Sequence, residues 1–319
     1  MHRRIVLSLL AAALVAAILP AGASAQNKNS AGKQRVRVVA IPISIYKKGE
    51  LKQEKLDEFV YIERLTVKEN KEEQQILSIR TVDDAPLALA ILIQEDLTSE
   101  FNLQLADIAK FIRNLPRGSR VMVAYLRGGT LDIRQRFTDD RELAAKSLRI
   151  VSSSEIAAPR NPYDGLIEAL NRFDALPAGR RAVIMFSDGL DPANGLDLSS
   201  STQSPDLERG ILRAQRKSVS VFTIYSPASL TANGSSLRVL YGQSSLGRLA
   251  DETGGRAFFQ GSAAPVSVLP FFKDIGNLLN RQFLLTYLST HMKRGYYRVE
   301  VTSSNPEVKV EHPRGYYYR

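Results

Sequence analysis

Two strand ends in this 319-residue chain carry the side chains best suited to chemistry. Gln94, Glu95, Asp96 and Thr98 follow the apolar run 87–93, and Asp188 follows the apolar run 182–186. Carboxylate, hydroxyl and amide oxygens gathered this way are what a hard divalent cation such as Mg²⁺ or Mn²⁺ requires, so they pose a cation site or the remains of one. Nucleophilic chemistry finds less support. Beyond residue 25 the only histidines are His291 and His312, both in the β-like tail, and the segment 242–247 (Gly-Gln-Ser-Ser-Leu-Gly) does not match the Gly-x-Ser-x-Gly elbow. Neighbouring acids such as Asp139 and Asp140 or Asp83 and Asp84 fit helix starts and loops better than acid–base pairs. No catalytic residue is assigned, and the chain is expected not to be an enzyme.

The elements that must position the two strand ends alternate regularly. Apolar runs at 87–93, 121–126, 182–186 and 219–225 have the continuous character of strands buried on both faces. Between them, Phe101, Leu105, Ile108, Ile112 and Leu115 recur at helical spacing, as do Leu166, Ile167, Leu170 and Phe173 after an Asn161-Pro162 start. A helix is expected from a Thr138 cap, others over 205–217 and 246–252, the latter stopped at Gly254-Gly255, and a last one through Phe271, Ile275, Leu278 and Leu279. This alternation predicts an α/β fold with a doubly wound, mostly parallel sheet over 86–282. The crevice of such a sheet lies at the carboxyl ends of its strands, where Gln94–Thr98 and Asp188 fall.

Both chain ends are β-like instead. Strands are expected at 36–46, 59–67 and 75–80, with a charged turn over 68–73, and again at 283–288, 296–302 and 308–310. Neither set can bury a core alone, so the segments 26–85 and 283–319 are expected to pair into one small β-sandwich-like unit with the α/β domain inserted between them. Half of the twelve tyrosines lie from Tyr287 onward, interleaved with Arg294, Arg298, Arg314 and Arg319. They suit either an aromatic and basic contact surface or ordinary β packing.

Residues 1–25 read as a signal peptide: Arg3 and Arg4, an apolar run, then Ala23-Ser24-Ala25 before a cut at Gln26. The chain is therefore expected to be exported, periplasmic or extracellular, with no membrane span after cleavage. It has no cysteine, which leaves stability to packing. The net charge of +10 is spread along the sequence without a run of five basic residues, so nucleic acid is not an expected partner.

With these elements in place the chain resembles secreted bacterial von Willebrand factor A-type proteins, close to the VWFA-related acidobacterial family. The resemblance rests on the element order over 87–281, on Phe186-Ser187-Asp188-Gly189-Leu190-Asp191 and on the stretch 249–259. Val308-Lys309-Val310, the later Arg314-Gly315-Tyr316, and Gly49, Phe59, Val60 and Ile76 near the start complete it. The resemblance implies a protein-binding or assembly role and a metal-ion-dependent adhesion site, in which an Asp-x-Ser-x-Ser loop, a Thr from a second loop and an Asp from a third hold the ion. Asp188 matches the third loop. In the first loop Gln94, Asp96 and Thr98 stand where Asp, Ser and Ser belong, and sliding by two residues puts Glu100 in a serine position. In the second loop Arg160 takes the place of the Thr, where a guanidinium could neutralise Asp96 and Asp188. The expected binding crevice is thus Gln94, Glu95, Asp96, Thr98, Arg160 and Asp188, a degenerate site working without a cofactor. Asp96, Thr98 and Asp188 are the ligands should Mg²⁺ or Mn²⁺ bind after all. A protein partner is expected; an envelope enzyme or an inert scaffold are the alternatives.

Overall fold

The computed structural model describes residues 35–47, 65–80, 86–151, 161–176, 180–192, 204–232 and 236–318. The expected signal peptide and Arg160 lie outside them. In chain order the strands are β1 (Arg37–Lys47), β2 (Leu65–Glu69), β3 (Glu72–Arg80), β4 (Ala88–Gln94), β5 (Arg120–Arg127), β6 (Thr130–Thr138), β7 (Arg181–Ser187), β8 (Val219–Tyr225) and β9 (Ala257–Phe258). The tail adds β10 (Gln282–Ser289), β11 (Gly295–Ser303), β12 (Val308–Glu311) and β13 (Gly315–Tyr318). The helices are α1 (Leu105–Arg113), α2 (Arg141–Lys146), α3 (Pro162–Arg172), α4 (Pro205–Arg216), α5 (Ser229–Ala232), α6 (Ser236–Thr253) and α7 (Leu269–Asn280).

Strand β4 forms because its residues are apolar on both sides, and the structure uses both. Leu89, Ile91 and Ile93 enter one core with Ile108 and Ile112 of α1, Ala144 of α2 and Phe272 and Ile275 of α7. Ala88, Ala90 and Leu92 enter a second core with Leu166 and Leu170 of α3, Leu207 and Ile211 of α4 and Leu249 of α6. The six-stranded sheet between these cores has the order β6-β5-β4-β7-β8-β9. All its pairs are parallel except β5 with β6. The fold class is α/β with a doubly wound, mostly parallel sheet and a separate antiparallel sheet. Each fully buried Leu, Ile or Phe contributes about 1.5–3 kcal/mol, and β4 feeds both cores with such residues.

Local chemistry sets the element ends. Asn161 accepts from the backbone N–H groups of Tyr163 (2.9 Å) and Asp164 (3.3 Å), with Pro162 as the first helical residue. Thr138 does not cap α2; Asp140 does, accepting from Leu143 N at 2.9 Å. The segment after Thr98 opens as a 3₁₀ turn, Ser99–Gln104, before α1 begins. Helix α6 starts at Ser236, ten residues ahead of the expected Leu246. Its first half leaves Leu237 and Leu240 exposed and buries nothing before Gly242, so no buried stripe marks its start.

The second sheet has the order β12-β1-β10-β3-β2-β11-β13. Its edge strands β12 and β13 are separated in sequence only by His312, Pro313 and Arg314. Four residue steps span at most about 14 Å, whereas seven strands laid flat would hold their outer members about 29 Å apart. The sheet must therefore curl until its edges meet, and its concave face closes around Ile41, Ile43, Val67, Leu285, Tyr287, Tyr297, Val299 and Tyr316. The expected turn over 68–73 is shorter than its charges suggest: Glu69 pairs with Glu72 around Asn70 and Lys71, both with positive φ. Tyr287, Tyr297 and Tyr316 are core residues, so packing explains much of the tyrosine-rich tail.

Glu69, fully buried, joins strands from both chain ends. Its carboxylate accepts from Ser289 Oγ (2.6 Å), Tyr316 Oη (2.7 Å) and Tyr287 Oη (2.9 Å), with His291 Nδ1 at 3.0 Å and Arg37 at 3.8 Å. Burial, then Glu69, pushes the Tyr316 phenol well above the ordinary tyrosine range, and burial, then Tyr316 and Glu69, does the same to Tyr287. Glu69→Ala strips this cluster of its acceptor and is expected to lower unfolding free energy by about 3–5 kcal/mol. Urea denaturation checks this, and a loss under about 1 kcal/mol would show that the cluster does not tie the sheet.

At the bend, half-buried His312 accepts from Val301 N through Nε2 (3.2 Å), while its Nδ1 lies 2.9 Å from Pro313 O. This fixes the neutral tautomer with Nδ1 as donor. Burial pushes the imidazole below its ordinary value of 6.5. The unfolded chain then binds the proton first, so this stabilisation is intact above about pH 6.5 and is lost as pH falls towards the depressed native value. His312→Gln should flatten the stability–pH slope just below pH 6.5 relative to wild type; identical slopes in thermal melts would disprove the assignment.

Candidate functional site

Strand β4 ends at Gln94, and β7 ends at Ser187 beside it, so the first and third loops leave the sheet together. Gln94 is buried and its carboxamide is the hub. Its oxygen accepts from Ser187 Oγ (2.5 Å) and Asp188 N (3.2 Å). Its nitrogen donates to Asp96 Oδ1 (3.0 Å) and Asp188 Oδ1 (3.1 Å). The amide orientation follows from these partners: oxygen towards two donors, nitrogen towards two acceptors.

Asp188 is held from further directions. Leu190 N donates to Oδ1 (3.2 Å), and Thr231 Oγ1 lies 3.5 Å from Oδ2. Thr231 sits in α5, just beyond the loop after β8; that loop is tied to the first by Thr98 N to Pro227 O (2.9 Å) and by the Leu97–Ala228 bridge. The chain can make the sharp exit after Asp188 because Gly189 has φ of +73°. Helix α6 approaches so closely that a Cβ on Gly242 would collide with the Asp188 carbonyl oxygen. Tyr163 Oη closes the floor by donating to Gly189 O at 2.7 Å, and burial pushes that phenol well up.

The expected crevice residues therefore separate. Gln94, Asp96 and Asp188 come together. Glu95 turns the other way, to Arg149 (2.7 Å) and Arg127 (3.2 Å), and Arg149 also reaches Asp132 (3.3 Å) and stacks over Tyr125. Thr98 begins the 3₁₀ turn, and its hydroxyl bonds Glu100; the backbone N–H of Glu100 and then this hydroxyl hold that carboxyl below its ordinary value. The second loop enters the described residues at Asn161, whose amide faces Asp164 (3.1 Å) and Asp206 rather than Asp188. Burial and then Asp206 push the Asp164 carboxyl up, against the pull of Arg209 at 3.1 Å. Thr231, Ser187 and Gly242 are the residues sequence reasoning missed. Ser187 and Gly242 lay within quoted segments, Gly242 in one weighed only as a nucleophile elbow, while Thr231 is brought in by topology alone.

A hard divalent cation needs oxygens converging on one point. Here the point between Asp96 and Asp188 is taken by an amide nitrogen, whose hydrogens stand where the ion's charge would. Among the described residues no group of three His, Cys, Asp or Glu side chains is placed to hold a metal. The donor set does not fit such an ion in this arrangement. Gln94→Asp would remove both amide donors and add a third carboxylate. The variant is expected to lose about 2–4 kcal/mol and to regain part of it in millimolar Mg²⁺, reversibly with EDTA. A melting temperature unchanged from wild type would show that the amide is not the hub.

No protein-family model matches the chain, and no curated protein matches it. Solved structures similar to it include an aerotolerance-related membrane protein from Bacteroides fragilis, at 14% identity over 61% of this chain and 98% of that one, with a TM-score of 0.42. A von Willebrand factor type A protein from Catenulispora acidiphila is similar at 11% identity over 90% of this chain and 74% of that one, TM-score 0.41. The manganese-loaded TRAP protein of Plasmodium vivax is similar at 11% identity over 74% and 97%, TM-score 0.39. All three TM-scores are under 0.5, and the fold assignment rests on strand order and layering rather than on these likenesses.

Proposed function

We propose that this chain is an exported, non-catalytic protein-binding or assembly module whose α/β crevice meets its partner without a metal ion. The observation that carries the reading is the Gln94 carboxamide, which satisfies Asp96 and Asp188 at 3.0 and 3.1 Å from one nitrogen. A crevice satisfied by its own side chains is preorganised and offers hydrogen-bonding edges rather than an open coordination position. The two histidines support a non-catalytic role, since His291 faces Glu69 and His312 faces Val301, both within the curled sheet. No described helix is long and apolar enough to cross a membrane. Release after residue 25 into the periplasm or medium accords with the sequence of the first residues.

The wild-type melting temperature is expected to be the same in millimolar Mg²⁺, millimolar Mn²⁺ or EDTA. An ion present at a hundred times its dissociation constant would add about 2.7 kcal/mol, an effect a thermal melt resolves easily. EDTA-reversible stabilisation of the unmutated chain would overturn metal independence. For the binding role, cross-linking in envelope extracts is expected to trap a partner with wild type that is lost with Asp188→Lys, with EDTA making no difference; equal trapping by both would move the contact away from the crevice.

A further inference from the structure

The curled sheet and the α/β domain meet along a seam, and a groove of about 860 Å³ runs there between β2, β11 and β12 on one side and the end of α6 on the other. Five cations and three carboxylates line it. Two of the cations are already engaged: Arg256 with Glu311 and with Tyr46 Oη at 2.8 Å, and Arg314 with Asp251 at 2.8 Å. Lys68, Lys71 and Arg298 are exposed and make no ion pair among the described residues. Glu300 sits opposite Lys68 in the β2–β11 pairing and is the only remaining carboxylate on the lining.

The geometry points to a second docking surface: the groove takes an extended acidic peptide segment of a protein partner, whose carboxylates meet Lys68, Lys71 and Arg298. Charge complementarity selects an anion, and the interleaved acids select its kind. A phosphodiester strand carries a charge on every nucleotide, with no neutral stretch to set against Glu300 and Asp251. An extended peptide with acids at alternate positions spaces its same-side carboxylates about 7 Å apart, leaving neutral backbone amides to lie against those two carboxylates. The walls are built from strands and the close approach of Gly254 to Pro313, so the groove is preformed. Strand β8 begins beside the curled sheet, where Ser218 Oγ donates to Ala40 O (2.9 Å), and ends at Tyr225 beside the crevice. The groove is therefore at the end of the molecule away from Gln94, and the inference does not depend on the crevice reading.

Fluorescence anisotropy tests it with the full chain and a labelled twelve-residue peptide of alternating Glu and Thr. Saturable binding is expected that weakens as NaCl rises, because exposed charges are screened. Lys68→Glu with Arg298→Glu should weaken it at least tenfold, and the milder pair Lys68→Ala with Arg298→Ala several-fold, both variants keeping the wild-type melting curve. Gln94→Asp should leave peptide affinity unchanged. If the charge reversal disturbs folding, the alanine pair decides alone. No saturable binding, equal affinity of the alanine pair and wild type, or tighter binding of a twelve-residue oligothymidylate than of the peptide would each overturn the proposal.

Discussion

Strand β10 is hydrogen-bonded on one side to β1 and on the other to β3, both from the opposite end of the chain. Every other feature is arranged around that closure. The α/β domain leaves β3 and returns into β10, so its first and last residues are held beside one another before its own cores are considered. Arg180 Nη1 to Leu279 O (2.8 Å), Gln282 Nε2 to Ser220 Oγ (2.9 Å) and Ile45 N to Arg281 O (3.3 Å) fasten the junction at the amino-terminal ends of β7 and β8. Tyr46, from β1, is even a member of the α/β core. Pairings this distant in sequence place most of the loop-closure entropy ahead of their reward, which favours slow, cooperative folding over independent folding of the ends.

The closure also explains why a charged residue can occupy the middle of the curled sheet. A buried carboxylate is tolerated only when donors converge on it. Glu69 gets Tyr287 and Ser289 from β10 and Tyr316 from β13, which reach it only because the tail returns and the sheet wraps. At the other end of the molecule Gln94 does the inverse, a neutral side chain placed between two carboxylates. An amide nitrogen supplies two directed donors without the desolvation cost of a full charge.

Legibility in the sequence followed burial pattern. Strands β4, β7 and β8 were readable because burial on both faces demands continuous apolar runs, and α1 and α3 because their stripes keep helical spacing. Glu69 breaks the alternation of its strand, and so the turn over 68–73 looked longer than the two residues it is. Strand β13 is absent from the expected strands because only four residues follow Arg314 before the described chain stops, too short a run to show alternation. At the site, Asp188 and the Gln94–Thr98 segment were visible from their strand-end positions. That Glu95 belongs to Arg149 rather than to the crevice was not, since adjacent residues on a turn can face opposite ways and only the β5–β6 edge decides. Thr231 comes from far along the chain and carries no local signal, and Gly242 stands in a segment whose only local signal was a failed Gly-x-Ser-x-Gly match.

Placing both chain ends at one end of the main sheet divides the surface by chemistry. Loops at the carboxyl ends of the strands are free of the curled sheet, and there Gln94, Ser187, Asp96, Asp188 and Thr231 form one polar network. At the seam the fit is made by ion pairs across two units, Arg256 with Glu311 and Arg314 with Asp251. Arg314–Asp251 is exposed, contributes at most about 1 kcal/mol and weakens with salt, whereas Arg256–Glu311 is half-buried and shares Tyr46. The main sheet and the curled sheet are thus joined by packing at β1, β10 and α7 and, at the end of α6, by ion pairs and the close approach of Gly254 to Pro313.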